Sequence, residues 1–490
     1  MTAVPRTQSL SSQATWPLHL VAQTQSIERT AQAELPAHTL MQRAGLACAR
    51  LALALAPHAH TIWIACGPGN NGGDGFEAAV YLKTWGKNPV VTWLGHDDRL
   101  PPDAQHALAR ARAAGVTFQT QAPAQFDLAV DALLGIGAQR PPEGVMTDWL
   151  LTMQASPSPV LCIDVPTGLL ADTGEWQGPA LGRSQERHTL SLLTLKPGLF
   201  TASGRDAAGQ VWFNNLGIAP NQAPSAWLQH ARPPIEPLAH ISHKGSLGDV
   251  MVIGGAPGMT GAAVLASLGA LHGGAGRVFT GALDENAGHT ISAAHPVLMV
   301  RQVDELHIDH ASVVCGCGGG DAVRAVLPRV LSGAAQLVLD ADALNAVARD
   351  TSLQTLLRKR HARHKPTVLT PHPLEAARLL NTTTPEVQHN RLQAAQQLAD
   401  TFQCVVVLKG SGSVIAAPAH VPTLNGSGNA RLATAGTGDV LAGWIGACMA
   451  RGLSAWEASC HAVFMHGHIA DTWPATAPAL DAARLAASIR

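Results

Sequence analysis

Five prolines between residues 218 and 240, Pro220, Pro224, Pro233, Pro234 and Pro237, interrupt this 490-residue chain near its middle. Proline removes a backbone donor and fixes φ, so a segment this dense in it suits neither a helix nor an inner strand. It reads as a linker over 218–240, with a long pattern on either side. In both halves short β-branched or aliphatic runs alternate with Ala-rich helical ones. The first half offers strands at 61–65, 90–94, 128–133, 160–164 and 190–195, with helices at 38–56 and 76–85. The second offers strands at 250–253, 311–314, 337–339, 367–369 and 405–408, then helices at 438–450 and 454–472. Such alternation predicts a mostly parallel sheet covered by helices on both faces. With no short-period repeat relating the halves, the expectation is two different α/β domains, 18–217 and 241–490, behind a mobile polar leader at 1–17.

Composition narrows the function classes. Lys plus Arg number 33 against 34 Asp plus Glu, and the arginines are scattered, so the chain lacks the basic face that nucleic acid requires. The eight cysteines include no C-x-x-C pair. Cys315 and Cys317 are too close for a zinc-type ligand pair, so all read as buried free thiols of a reducing compartment. Apolar runs are broken by Gly, His or Pro short of membrane-spanning length, and the first residues lack an apolar signal core. The expectation is a soluble cytoplasmic enzyme acting on small molecules, without nucleic-acid or membrane partners, assembled as a homo-oligomer.

In the first half, the strand at 61–65 runs into Gly67-Pro68-Gly69-Asn70-Asn71-Gly72-Gly73-Asp74-Gly75, and a helix is predicted from Phe76. Glycines let successive N–H groups point inward, and a helix start adds partial positive charge, which suits phosphate or pyrophosphate. The run is neither the G-x-G-x-x-G dinucleotide fingerprint nor a P-loop, which needs a lysine. Asn70, Asn71 and Asp74 bring oxygens and an amide fit for a polar ligand or a small cation. A tight turn with Asn and Asp as local caps is the alternative. Two further strand ends carry acids before glycine turns: Asp131 ahead of Gly135 and Gly137, and Asp164 ahead of Gly168. Ligands of open parallel sheets bind outside the carboxyl ends of the strands, and three such loops exceed what capping explains.

Taken in order, segments 67–75, 131–137 and 164–168 resemble the epimerase domain that acts on hydrated nicotinamide cofactors, NAD(P)HX. The resemblance implies a Rossmann-like three-layer sandwich over most of 18–217. It also implies substrate contacts from Asn70, Asn71, Gly72, Gly73 and Asp74. The loop Gly135, Ile136, Gly137, Ala138, Gln139 and Arg140 would face the same substrate, and Asn71, Asp131 and Thr167 would hold a potassium ion. Thr167 stands where the family often has Ser, and either supplies a hydroxyl. Asp164 is expected to be the catalytic acid/base at the hydrated ring carbon.

In the second half, Thr434-Ala435-Gly436-Thr437-Gly438-Asp439 opens an apolar helix. N–H groups at such a start hold negative charge, and Asp439 at its mouth can act as a base toward a hydroxyl or simply cap the helix. Residues 405–415 read as a hairpin with Lys409 at the tip, placed to neutralise phosphates. Thr370-Pro371-His372-Pro373-Leu374-Glu375 follows a buried strand; His372 is placed to orient a substrate and Glu375 to help hold Mg²⁺ through water.

With His243-Lys244-Gly245, Gly254-Gly255, the run 260–263 and the run 340–345, these segments resemble the NAD(P)HX dehydratase domain, a member of the ribokinase-like superfamily, over roughly 241–475. The resemblance implies ADP as co-substrate with Mg²⁺. Its nucleotide-binding residues would be Lys409, Gly410, Ser411, Gly412, Ser413, Val414, Ile415 and Gly438. Substrate contacts would come from Ala262, Gly318, His372 and Asp439, the last also catalytic. The run Cys315-Gly316-Cys317-Gly318-Gly319-Gly320 departs from the family's Gly-Pro-Gly-Leu-Gly turn, so which glycine touches substrate stays open. The implied chemistry phosphorylates the S-epimer hydroxyl from ADP and expels phosphate, while the first domain interconverts R and S epimers. The Gly436–Asp439 helix start alone also fits a ribokinase-like kinase of a small molecule such as a vitamin precursor, with an accessory nucleotide-sensing N-terminal domain.

Overall fold

Along the strand Thr61–Cys66, Ile62, Ile64 and Cys66 enter one apolar cluster while Trp63 and Ala65 enter another. Side chains alternate between the faces of a strand, so one buried on both sides needs a helical layer above and below. The computed structural model has that arrangement and describes residues 6–10, 14–182, 186–234 and 239–489. The chain divides into two compact units, Met1–Ala226 and Trp227–Arg490. Among the described residues no helix is long and apolar enough to cross a membrane.

The first unit is built on an eight-stranded sheet. Its order is Gln8–Ser9, Gln210–Asn214, Arg187–Leu192, Val160–Ile163, Leu128–Ala132, Thr61–Cys66, Asn88–Trp93 and Thr117–Gln119. All neighbours run parallel except the first pair. From Thr61–Cys66 the chain builds outward in one direction, then returns to add Leu128–Ala132 on the other side. The crevice at that reversal is where an open α/β sheet receives a ligand.

The glycine-rich run after Thr61–Cys66 differs from expectation. It is not a loop leading to a helix at Phe76, because the helix already spans Asn70–Thr84. Its glycines serve close packing: a Cβ on Gly72 would lie 2.1 Å from the carbonyl oxygen of Gly67. Gly72→Ala is therefore expected to lower stability by about 1–3 kcal/mol, the range for overpacking, and to reduce the urea midpoint. The polar leader also differs. Of its described residues, Gln8–Ser9 pairs antiparallel with Phe213 and Trp212, and Thr15–Leu18 forms a short strand. Within the proline-dense segment, Ala226–Gln229 is a strand, its residues from Trp227 to Gln229 parallel to Thr423–Asn425, while Pro237 lies outside the described residues.

The second unit repeats the reversal. Asp249–Gly254 is flanked on one side by Arg277–Ala282 and Met299–Val300, and on the other by Ser312–Cys315. Beyond Ser312–Cys315 come Gln336–Leu339, Thr367–Leu369 and Val405–Leu408, all parallel. Val414–Ala416 and Thr423–Asn425 then turn antiparallel, as the predicted hairpin requires. The helix Thr437–Ala450 joins one large apolar cluster with residues of Thr260–His272 and the sheet. All eight cysteines are free and buried.

Candidate active sites

The crevice of the first unit is a cavity of about 450 Å³ bordered by Asn70, Asn71, Asp74, Asp164, Lys196 and the loop from Leu133 to Ala138. Each comes from the carboxyl end of a strand or from the helix that follows one. Asp164 sits just past Val160–Ile163 with φ at +67°, in the left-handed region that costs a non-glycine residue energy. Its carboxylate forms an ion pair with Lys196 and accepts from the Leu192 N–H at 3.4 Å. Lys196 is fully buried and also donates to the Leu192 carbonyl at 2.7 Å. The sequence reading missed Lys196, although it follows the predicted strand at 190–195. The strand-end rule that found Asp131 and Asp164 also selects it.

Asp131 and Thr167 meet directly. The Thr167 hydroxyl donates to Asp131 Oδ1 at 2.7 Å, and the N–H groups of Thr167 and Leu133 reach the same carboxylate at 2.9 and 3.2 Å. Burial pushes the Asp131 carboxyl up from its usual range, against those hydrogen bonds. Asn71 completes the neighbourhood. A Cβ on Gly135 would lie 3.4 Å from the Asn71 Oδ1, and the Leu134 N–H donates to the Thr167 hydroxyl at 3.0 Å. The Asn71 Nδ2 is buried with no partner among the described residues. Asp74 is also pushed well up, first by burial and then by Asp164 and Glu28. Glu28 and Asp103 border the cavity as well, and no motif marked either of them. Gly72 and Gly73 are buried beneath it in the helix, while Gln139 and Arg140 are exposed and stand off the cavity that Gly135, Ile136, Gly137 and Ala138 line.

In the second unit the corresponding cluster gathers at the ends of four parallel strands under a helix start. Gly436, at φ +90°, turns the chain into Thr437–Ala450, which places Asp439 in the first turn. Burial and then Asp340 push the Asp439 carboxyl up to about 6. Asp340 is buried, accepting from the Thr370 hydroxyl at 2.8 Å and from Lys409 at 2.6 Å, both on Oδ1. Lys409 is thus not a bare hairpin tip. Its ammonium lies against a buried carboxylate, and although burial opposes its charge, Asp340 and Glu375 outweigh that and hold its pKa up. A Cβ on Gly438 would lie 3.3 Å from Lys409 Nζ, so those two residues adjoin. Behind the helix start, buried His466, pushed down to about 4 by burial, is neutral near pH 7 and its Nε2 donates to the Thr437 carbonyl at 2.9 Å.

Ala262 and Gly318 also come together: a Cβ on Gly318, at φ +59°, would lie 2.8 Å from the Ala262 Cβ. His372 caps the helix Pro373–Leu380, its Nδ1 accepting from the N–H groups of Leu374 and Glu375 at 3.1 and 3.3 Å. That leaves Nε2 as the protonated nitrogen, 3.2 Å from Glu375 Oε1. The other oxygen of Glu375 accepts from the His372 N–H at 2.8 Å, and burial pushes this carboxyl up to about 7. Glu375, expected to help hold Mg²⁺ through water, thus also closes a capping box with His372. In the hairpin, Gly410, Ser411, Gly412 and Ser413 form the turn, with the Ser413 hydroxyl donating to the Gly410 carbonyl at 3.2 Å. Val414 and Ile415 are buried in the sheet between Val405–Leu408 and Thr423–Asn425, so their side chains face the core.

The family models agree with this division of labour. Residues 250–490 match the model described as NAD(P)H-hydrate dehydratase, and residues 37–198 match that of the YjeF-related protein N-terminus. A bifunctional NAD(P)H-hydrate repair enzyme Nnr of Escherichia coli K12 is 35% identical over 461 residues, covering 89% of this chain and 85% of that protein. The enzyme of that name from Coxiella burnetii is 33% identical, covering 92% of this chain and 93% of its own. Among solved structures, the ADP/ATP-dependent NAD(P)H-hydrate dehydratase from Bacillus subtilis, co-crystallised with ATP and Mg²⁺, is 31% identical over 52% of this chain and 91% of that one, with a TM-score of 0.46. With both halves matched and relatives this similar along nearly the whole length, the chain belongs to the bifunctional NAD(P)H-hydrate repair enzyme family.

Proposed function

We propose that the first unit interconverts R- and S-NAD(P)HX and that the second dehydrates S-NAD(P)HX to NAD(P)H at the expense of ADP. The observation that carries this reading is Asp439, a carboxylate held near a pKa of 6 in the first turn of a helix whose start, at Gly438, adjoins the Lys409 ammonium. Asp439 accepts the substrate hydroxyl proton as the terminal phosphoryl of ADP moves to that oxygen, leaving AMP. Phosphate then departs with the C–O bonding pair, the adjacent ring position loses a proton, and the dihydropyridine is restored. The N–H groups of Gly438 and Asp439 and the ammonium of Lys409 favour the negative charge of the phosphates, and the Ala262–Gly318 contact shapes the wall for the ring. The hairpin turn of Gly410, Ser411, Gly412 and Ser413 contributes close backbone approach to the nucleotide.

In the first unit, Asp164 moves the proton at the hydrated ring carbon, and Lys196 keeps its carboxylate oriented. Asn70, Asn71 and Asp74 bind the substrate from the helix start, with Gly135 to Ala138 opposite. A potassium ion fits the set Asn71, Asp131 and Thr167. The Asp131 carboxylate is buried among neutral hydrogen-bond donors, and the Asn71 amide, unpartnered at its nitrogen, can turn its oxygen inward. Such an ion supplies fixed positive charge beside the substrate. Mg²⁺ fits the second unit as a companion of the ADP phosphates. Asp340 offers it Oδ2, which accepts only the weak bond of the Cys317 thiol at 3.9 Å while Thr370 and Lys409 both occupy Oδ1.

Two outcomes follow. Burial and Asp340 disfavour the charged form of Asp439, so the base is lost as pH falls through about 6. ADP-dependent kcat/KM is expected to drop about tenfold per pH unit below that point and to be flat above it up to pH 8. Thr167→Val removes the hydroxyl that serves both Asp131 and the Leu134 N–H. It is expected to cost about 1–3 kcal/mol of stability and to abolish the difference in epimerisation rate between potassium and lithium buffers.

The direct test supplies purified S-NADHX with ADP and Mg²⁺ and follows NADH, AMP and phosphate together. Equal yields of all three support the reading. AMP or ADP turnover on another alcohol, with S-NADHX left intact, supports the small-molecule kinase instead. Family membership across both halves already favours repair over that kinase.

A further inference from the structure

We infer that Cys317, Asp340 and Asp439 form a binding site for a thiophilic divalent cation of the zinc class, and that filling it silences the ADP-dependent half of the enzyme. Cys317 Sγ and one carboxylate oxygen each from Asp340 and Asp439 all lie within 4.8 Å of one another. The thiol faces Asp340 Oδ2 at 3.9 Å. A tetrahedral zinc ion with sulfur at about 2.3 Å and oxygens at about 2.0–2.2 Å sets its ligands roughly 3.4–3.6 Å apart, so the thiol and Asp340 are already close to that spacing and no pair need close by more than roughly 1.4 Å.

The ligands stand on rigid supports. Cys317 follows the strand Ser312–Cys315, Asp340 follows Gln336–Leu339, and Asp439 lies in the first turn of Thr437–Ala450. The oxygens are also correctly shared out. Thr370 and Lys409 both bind Asp340 Oδ1, so Oδ2, the atom facing the thiol, takes no bond from either. Cys317 is fully buried and Asp340 is 2% exposed, whereas Asp439 is partly exposed and provides the entrance and the side on which a water completes the coordination. Two carboxylates and a thiol face a single ammonium, so a cation relieves excess negative charge once the thiol gives up its proton. Binding forms the metal–sulfur bond, releases that proton to solvent and involves no oxidation. Mg²⁺ prefers oxygen donors and leaves the sulfur unused.

Inhibition rests on the proposed role of Asp439; binding does not, so the two are read separately. Full-length protein stripped of metal is titrated with Cd²⁺ while the ultraviolet sulfur-to-cadmium charge-transfer band is recorded, in wild type, Cys317→Ser and Cys317→Ala. The expected result is a band saturating at one equivalent, absent in both variants, not produced by Mg²⁺, and displaced by Zn²⁺. A band that persists in both variants, or no band in wild type, overturns the site. In parallel, Zn²⁺ is expected to abolish NADH formation from S-NADHX, with EDTA restoring it, while exchange between epimers continues. A wild-type protein that shows the band yet keeps its ADP-dependent rate overturns the silencing.

Discussion

Asp439→Asn is expected to slow ADP-dependent formation of NADH by roughly 10²–10⁴-fold, the usual worth of a positioned general base, with exchange between R and S epimers unchanged. Asn keeps the size of the side chain and removes only its basicity. It also removes the repulsion from Asp340 that helps push the Asp439 carboxyl up, so the variant is expected to fold at least as stably as wild type. The loss should therefore appear in kcat rather than in the thermal midpoint, with the KM for ADP little altered. Steady-state kinetics with purified S-NADHX measure it. A fall smaller than about tenfold removes Asp439 as the base.

The second large effect concerns Lys196, which is fully buried and pairs with Asp164. Lys196→Met leaves the mostly buried Asp164 carboxylate without its counter-charge. Removing one partner of a buried ion pair typically costs about 3–5 kcal/mol. The same substitution is expected to abolish epimerisation, since Asp164 loses the contact that orients it. The double variant Asp164→Asn, Lys196→Met separates the two consequences. It removes both charges, so most of the stability should return while epimerisation stays absent. Urea unfolding and chromatographic separation of the epimers read the two quantities. If Lys196→Met exchanges epimers at the wild-type rate, the pair is only structural.

How much of this was legible beforehand depends on the residue. Period located most of the expected strands within a residue or two, because a strand buried on both faces must be a short aliphatic run, and Val405–Leu408 leaves little else to choose; the one expected at 190–195 lies three residues earlier, at Arg187–Leu192, and Thr117–Gln119, Gln210–Asn214 and Arg277–Ala282 were not expected. The helix at Asn70–Thr84 was misread at its start because glycines signal turns locally, whereas here they let the helix lie against Gly67. Only the tertiary contact distinguishes those cases. Asp131, Asp164 and Asp439 were singled out by their strand-end and helix-start positions, and Thr167 by the family resemblance. The pairings of Lys196 with Asp164 and of Lys409 with Asp340 were not, since the partners are 32 and 69 residues apart and meet only because sheet order brings their strands together. Glu375 was read for its carboxylate alone. Its spacing from His372 is that of a capping box, and one of its oxygens accepts from the His372 N–H.

The most direct measurement of the whole account is recovery of NADH absorbance from a mixed R and S NADHX pool in the presence of ADP, Mg²⁺ and potassium. Wild type is predicted to convert the entire pool in one continuous course. Asp164→Asn should convert the S fraction at the wild-type rate and then stop at the slow spontaneous rate for the remainder. If wild type also halts at the S fraction, the first unit is no epimerase. If it converts neither epimer, the account of two complementary repair sites on one chain is wrong.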